Sequence, residues 1–249
     1  REHVGHSLAE RDEHRPIHCR WSREESIVGH HKRHRGRIRI RLGATHDGTI
    51  TALEADVDLD AGAYNYTSNK VLGNAHLSVA GAYRIPHARI DSRAIYTTTV
   101  PGGAFRGFGG PQGHFAIESA VNRLAAELGI DPVEMRLRNA LVDGDDGITQ
   151  TVMPEGVSMR EVITACSLQA ELDEALPDLE PFSPIASLPS ATTSLRRGRG
   201  FAAGFKNIGF SFGFPERCEA EIILHGGPDD EAPKSVELFH GGAEVGQGA

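Results

Sequence analysis

Apolar and charged residues alternate from Arg35 to Leu42, where Ile38, Ile40 and Leu42 interleave with Arg37, Arg39 and Arg41, and alternation resumes from Ile50 to Leu59. A period of two puts the apolar set on one face of an extended strand. His46-Asp47-Gly48 between the runs supplies a turn that accepts positive φ, so the pair predicts a long antiparallel hairpin. A further strand is expected over His87 to Thr99, leading straight into Pro101 and a glycine-rich segment.

After that segment the period changes. Ile117, Val121, Leu124 and Leu128 share one helical face, which predicts a helix from about Pro111 to Leu128 with Gly129 as its stop. Asp131-Pro132 opens a second, short helix, with Asp131 as N-cap and Pro132 at the first helical position. Asp143-Gly144-Asp145-Asp146-Gly147 breaks every periodicity, and a boundary is expected there, dividing the chain into residues 1–146 and 147–249. In the second part, Ser158-Met159-Arg160-Glu161 has capping-box spacing and predicts a helix running towards Leu176. Prolines and serines from Leu176 to Arg199 read as a connector, and strands over Glu219 to Leu224 and Ser235 to Phe239 flank an acidic turn. The expected fold class is α+β, with mixed sheets and packed helices.

Composition narrows the setting. A chain of 249 residues can bury a real core in one large or two modest domains, and a formal charge of -8 argues against nucleic acid as the main partner. No window has the apolar length of a membrane span and the N-terminus lacks the pattern of a secretion signal, so a cytoplasmic protein is expected. Cys19, Cys166 and Cys218 are odd in number and widely spaced, which supports neither a disulfide framework nor a zinc or iron–sulfur site. The arginine- and histidine-rich stretch from Arg20 to Arg41, including His30, His31 and His34, reads as a solvated strand face rather than a metal site or binding patch.

The segment with most chemical content is Ala104-Phe105-Arg106-Gly107-Phe108-Gly109-Gly110-Pro111-Gln112-Gly113, which sets a buried-type arginine and two aromatics among glycines before a helix. Glycine lets the backbone approach a ligand and take dihedrals other residues avoid. The N-terminus of the following helix offers unpaired N–H groups to an anion. Arg106 adds a forked cationic donor, and Phe105 and Phe108 add flat walls. A second glycine segment, Gly241-Gly242-Ala243-Glu244-Val245-Gly246-Gln247-Gly248, again follows a strand. Two strand-to-glycine-loop units are what two domains clasping one ligand would show. Neither has the lysine of a P-loop or the spacing of a dinucleotide fingerprint.

The two segments, in this order, resemble the signatures of the molybdenum hydroxylases, the family of xanthine dehydrogenase and aldehyde oxidase. Trp21-Ser22-Arg23-Glu24-Glu25-Ser26, Asp60-Ala61-Gly62-Ala63-Tyr64, Tyr83-Arg84-Ile85-Pro86 and Gly213-Phe214-Pro215-Glu216 are similar to bacterial members, whereas the first fifteen residues and about Glu171 to Arg197 are not. The resemblance implies parts of two molybdopterin-binding domains: the C-terminal portion of the first over 1–146 and the N-terminal portion of the second over 147–249. It implies a molybdenum–molybdopterin cofactor, often in bacteria the cytosine dinucleotide form, with iron–sulfur and FAD centres on partner subunits of a hetero-oligomer. By the same resemblance, Phe105, Arg106 and Gly107 lie against the metal, Gly246, Gln247 and Gly248 bind the pterin, and Phe108 and Phe210, with Phe212 as rival to the latter, contact substrate. The reaction implied is oxidation of an aldehyde or N-heterocycle with water as oxygen source. Purines fit poorly because Asn74 falls where purine-oxidising relatives carry arginine. Carbon monoxide fits poorly because Gly107 falls where relatives that oxidise it carry cysteine. Arg1 to Arg15 contain no Phe-Gly-Gly loop, and relatives place their general-base glutamate beyond the second glycine loop, hence beyond Ala249. Glu244 matches a supporting loop position instead. The chain alone is accordingly expected to be an inactive fragment, with a non-catalytic scaffold or remnant of the same fold as the alternative.

Overall fold

A computed structural model describes residues 19–174, 200–206, 219–227 and 231–242. Five helices are described: α1 (Arg23–Gly29), α2 (Ser68–Ser78), α3 (Gly110–Leu128), α4 (Pro132–Asn139) and α5 (Met159–Glu174). The hairpin forms as the alternation requires. Strands β1 (Gly36–Ala44) and β2 (Ile50–Gly62) pair antiparallel, from Gly36 opposite Leu59 to Ala44 opposite Ile50. Gly48 takes φ +87° in the turn, and the Asp47 carboxylate accepts from the Thr45 and Thr49 hydroxyls. Asn139 fastens the turn to α4, accepting from the Ile50 N–H at 2.7 Å and donating to the Gly48 carbonyl at 2.8 Å.

Strand β3 (His87–Tyr96) lies on the free side of β2 and runs parallel to it, giving a mixed sheet of order β1-β2-β3. A parallel neighbour needs a crossover, and the connection from β2 to β3 contains α2. Helices α2 and α3 cover one face of the sheet, where Leu53, Val57 and Leu59 of β2 meet Val71 of α2 and Ile117 and Val121 of α3 in one buried cluster. The other face carries opposed charges. Arg41 pairs with Glu54, and Arg93 with Asp58 at 2.8 Å. Arg37, Arg39 and Arg41 are thus exposed and stand opposite acidic partners on β2.

The predicted caps at Gly129 and Asp131 are present, whereas the expected Ser158–Glu161 capping box is not among the hydrogen bonds of the described residues. Gly129 closes α3 at φ +68°, and Asp131 Oδ1 accepts from the N–H groups of Val133 and Glu134. Helix α5 begins at Met159 as expected and packs on α4. Strands β4 (Ala220–His225) and β5 (Ser235–His240) form an antiparallel hairpin with Ile222 opposite Leu238.

Two helices were not foreseen. In α1, Ser22 accepts from the Glu25 N–H and the Glu25 carboxylate accepts from the Ser22 N–H, a capping box that is legible in Ser22-Arg23-Glu24-Glu25. In α2 the buried residues are Ser68, Val71, Ala75 and Ser78, a stripe of mostly small side chains with little apolar contrast. Equally unforeseen is a buried ionic cluster behind α3. Arg136 is fully buried and donates to Glu118 from Nε at 2.9 Å and Nη2 at 2.7 Å, to Asn122 Oδ1 and to the Pro132 carbonyl. The Tyr83 hydroxyl donates to the same carboxylate. Burial, followed by the neighbouring Glu118 charge, pushes the Tyr83 phenol up, so it stays protonated and remains a donor.

Candidate cofactor-binding site

The first glycine loop is anchored at its base by the end of β2. Asp60 accepts from the Thr97 hydroxyl at 2.6 Å and from the Thr99 hydroxyl at 3.1 Å, and the Gly102 N–H donates to the Ala61 carbonyl. Beyond it the chain turns sharply. Gly107, Phe108 and Gly109 take φ of +86°, +45° and +99° in succession. The Phe108 N–H donates back to the Phe105 carbonyl at 2.7 Å, and that of Gly110 to the Gly107 carbonyl at 2.8 Å. Phe108 tolerates a region that costs a non-glycine residue roughly 1–3 kcal/mol because its ring packs against the core. Gly109 is required by contact as well as by φ, since a Cβ there would lie 2.2 Å from the Val71 carbonyl oxygen and 2.8 Å from the Ala75 nitrogen of α2.

Ala104, Phe105, Arg106, Gly107 and Phe108 line a hollow of about 420 Å³. Among the described residues the N–H groups of Ala104, Phe105, Arg106 and Gly107 have no acceptor. Arg106 is exposed, contrary to the expectation of a buried-type arginine, because the loop is held by its carbonyl rather than by its guanidinium. Phe105 is half exposed and Phe108 only partly buried. Asn74 stands half-buried on α2 with Oδ1 unpartnered. Gly246, Gln247, Gly248, Phe210 and Phe212 lie outside the described residues.

The residues holding the loop are those the sequence assigned to a solvated face. Lys32 bridges to Gly102, and the Gly103 N–H donates to the Lys32 carbonyl at 2.9 Å, so segment 31–34 runs alongside the loop. His31 Nε2 donates to the Ala104 carbonyl at 3.2 Å. An Arg33 Nη2 donor holds the Arg106 carbonyl, and the Arg33 guanidinium lies 4.6 Å from the centroid of the Phe105 ring. His34 is buried against Ser68 Oγ at 2.8 Å. The alternation legible from Arg35 onward does not extend back to these residues, and only their nearness in space to the loop reveals them. Desolvation lowers the pKa of His31, His34 and Arg33, the first two below the ordinary histidine value. On the far side, the N–H of Ala203 donates to Glu118 at 2.8 Å and that of Phe205 to His114 Nε2 at 3.0 Å, which leaves His114 Nδ1 to donate to the Gly110 carbonyl.

A family model for the molybdopterin cofactor-binding domain matches residues 2–140. The chain belongs to that family. The match reaches into the first fifteen residues, which the motifs alone left unmatched. Over 235 residues the chain is 34% identical to a probable xanthine dehydrogenase subunit of Bacillus subtilis, covering 94% of this chain and 29% of that protein. It is 36% identical over 149 residues to the nicotinate dehydrogenase large molybdopterin subunit of Eubacterium barkeri, covering 60% of this chain and 35% of that protein. Among solved structures, aldehyde oxidoreductase from Desulfovibrio gigas superposes with a TM-score of 0.60 at 33% identity, over 68% of this chain and 19% of that one. Quinoline 2-oxidoreductase from Pseudomonas putida 86 gives 0.58 at 28% identity, over 67% of this chain and 22% of that one. The chain thus spans about a third or less of the length of these relatives, and its mixed α+β fold corresponds to part of theirs.

The loop fits such a cofactor on its own geometry. Free N–H donors at Phe105 and Gly107 suit an oxo-bearing, anionic group, and Arg33 Nη1, on the guanidinium that grips the loop, is a buried polar atom without a partner. Any side chain at Gly107 would collide with the Pro111 ring at 2.6 Å, so the backbone there is kept bare. Among the described residues no group of three His, Cys, Asp or Glu could hold a metal ion directly, and no helix is long and apolar enough to cross a membrane.

Proposed function

We propose that this chain is the part of a cytoplasmic molybdenum hydroxylase that presents the metal-facing loop to a molybdenum–pterin cofactor, and that the enzyme oxidises an aldehyde or a nitrogen heterocycle. The observation that carries the reading is the run of unpaired N–H groups from Ala104 to Gly107 in front of α3, in a chain of the molybdopterin-binding family. When bound, the cofactor supplies a two-electron oxidation that places oxygen from water on an electron-poor carbon.

The chain's own residues do the rest. The N–H groups of Phe105 and Gly107 donate to the anionic oxygen face of the cofactor, and Arg106, exposed at the rim, adds positive charge there. Phe105 shields that face from water, and Phe108 offers the edge of its ring to a planar substrate. By the family resemblance, Gly246, Gln247 and Gly248 bind the pterin, and Phe210, with Phe212 as its rival, contacts the substrate. Asn74 on α2 stands where purine-oxidising relatives carry arginine, which disfavours a purine substrate. Electrons leave to iron–sulfur and flavin centres on partner subunits; the Eubacterium barkeri relative, named as a large molybdopterin subunit, belongs to an assembly with other subunits.

The test is to express the protein from its native coding region in a host that makes the cofactor, and to measure molybdenum and pterin per chain together with oxidation of an aldehyde and N-heterocycle panel. One molybdenum and one pterin per chain are expected. A folded preparation without either overturns the reading.

A further inference from the structure

His31 and Arg33 have no part in the roles assigned above, yet each spends a side-chain donor on a carbonyl of the glycine loop. His31 Nε2 donates to the Ala104 carbonyl at 3.2 Å and Arg33 Nη2 to that of Arg106. In a planar trans peptide, the carbonyl of one residue and the N–H of the next point in opposite directions. Holding the Ala104 carbonyl therefore fixes where the Phe105 N–H points, and holding the Arg106 carbonyl fixes the Gly107 N–H. Those are two of the four N–H groups in the run without acceptors among the described residues.

We propose that His31 and Arg33 are positioning residues for the cofactor cradle: by gripping alternate carbonyls they turn the Phe105 and Gly107 N–H groups to the opposite side, as a preset pair of donors for an oxo-anionic ligand. The inference rests on the reading of loop 104–108 as the cofactor face. Both grips are themselves braced. The His31 ring stacks on His30 with centroids 4.2 Å apart and leans on Tyr66 at 5.4 Å, and the Arg33 guanidinium lies over the Phe105 ring at 4.6 Å. Their backbone is locked to the loop through the Lys32 carbonyl, which accepts from Gly103. A Cβ at Gly103 would fall 2.4 Å from His31, so the glycine is what lets the ring reach Ala104. Gly107 has the opposite need for support, since a glycine at φ +86° has little intrinsic preference to stay there. Preset donors spare the binding step the entropy of ordering two peptide units.

The experiment is backbone ¹⁵N relaxation on the full chain, wild type against Arg33→Met, Arg33→Lys and His31→Phe, paired with pterin content of the same variants made from the native coding region. Methionine can still lie on Phe105 and phenylalanine can still stack between His30 and Tyr66, but neither donates. In the wild type, order parameters at Phe105 and Gly107 near the rigid value of about 0.85 are expected. Arg33→Met lowers Gly107 below about 0.6, His31→Phe does so for Phe105, and Val57 and Val121 in the core stay rigid in both. Arg33→Lys, which keeps a donor but not the flat stack, restores part of the order at Gly107. Pterin per chain falls about tenfold or more in the two non-donating variants, as losing the order of a peptide unit implies. Unchanged order at Phe105 and Gly107 in both variants overturns the proposal even if wild type carries pterin. Loss of core order in all three variants also overturns it, by showing structural supports rather than positioning groups. A wild type without pterin whose loop responds as described leaves the clamp standing and removes the cofactor reading instead.

Discussion

Replacing Gly109 by alanine tests the strained turn that puts α3 behind the glycine loop, and Gly129 provides its control. Both glycines have left-handed φ, +99° and +68°. At Gly129 an added Cβ meets nothing within 4 Å, so Gly129→Ala reads the conformational penalty alone, about 1–2 kcal/mol. At Gly109 the same methyl group would sit 2.2 Å from the Val71 carbonyl oxygen and 2.8 Å from the Ala75 nitrogen. These are backbone atoms of α2 and cannot swing aside, so α2 must move away from the core, at a cost of about 1–3 kcal/mol for overpacking. Gly109→Ala should therefore destabilise by about 2–5 kcal/mol in all. Urea unfolding followed by far-UV circular dichroism resolves the difference, because a slope of about 2 kcal/mol/M turns the extra penalty into roughly 0.5–1.5 M of midpoint. Equal midpoints for the two variants, with equal slopes, would refute the claim that the loop is pressed against α2.

Other perturbations reach the support of the site. Glu118→Gln leaves Arg136 charged and fully buried; a loss of about 3–5 kcal/mol is expected, and urea midpoints within roughly 0.3 M of wild type would contradict the cluster's role. Acidification should weaken the fold through His31, His34 and His76, whose pKa values are all lowered from 6.5, first by burial. Their folded pKa lies below the unfolded one, so above pH 6.5 the neutral rings leave stability intact; as pH falls below it, the unfolded chain takes up protons first and stability is lost. Thermal melts of wild type and His34→Gln between about pH 7.5 and about pH 5 should show a shallower slope in the variant, and parallel slopes would remove His34 as a contributor.

Much of the frame was legible because local rules and burial agree. The β1–β2 alternation follows from burial of one strand face, and the Asp47-Gly48 turn, the Gly129 stop and the Asp131-Pro132 start from the conformational preferences of one or two residues; each is present. The parallel placement of β3 and the stripe of α2 were not legible, since a parallel partner leaves no local trace and small residues such as Ser68, Ala75 and Ser78 carry little hydrophobic contrast. At the site, the glycines and aromatics of loop 104–108 announced themselves, but the side chains that hold it lie more than seventy residues earlier. A His-Lys-Arg-His run reads as solvent-facing until the fold lays it against the loop; then His31 and Arg33 are seen to be bound to carbonyls and His34 to be buried. The charge of Arg106 drew attention to the wrong atoms, since Arg33 grips its carbonyl while its own side chain stays exposed.

The central claim is that loop 104–108 presents backbone donors to a molybdenum–pterin cofactor, and it is tested most directly by a crystal structure of the cofactor-loaded protein made from its native coding region. Cofactor oxygen atoms should lie at hydrogen-bonding distance, about 2.7–3.2 Å, from the N–H groups of Phe105 and Gly107, with Arg33 still on the Arg106 carbonyl. Cofactor density elsewhere in the protein, with those N–H groups facing solvent or protein carbonyls, would contradict it.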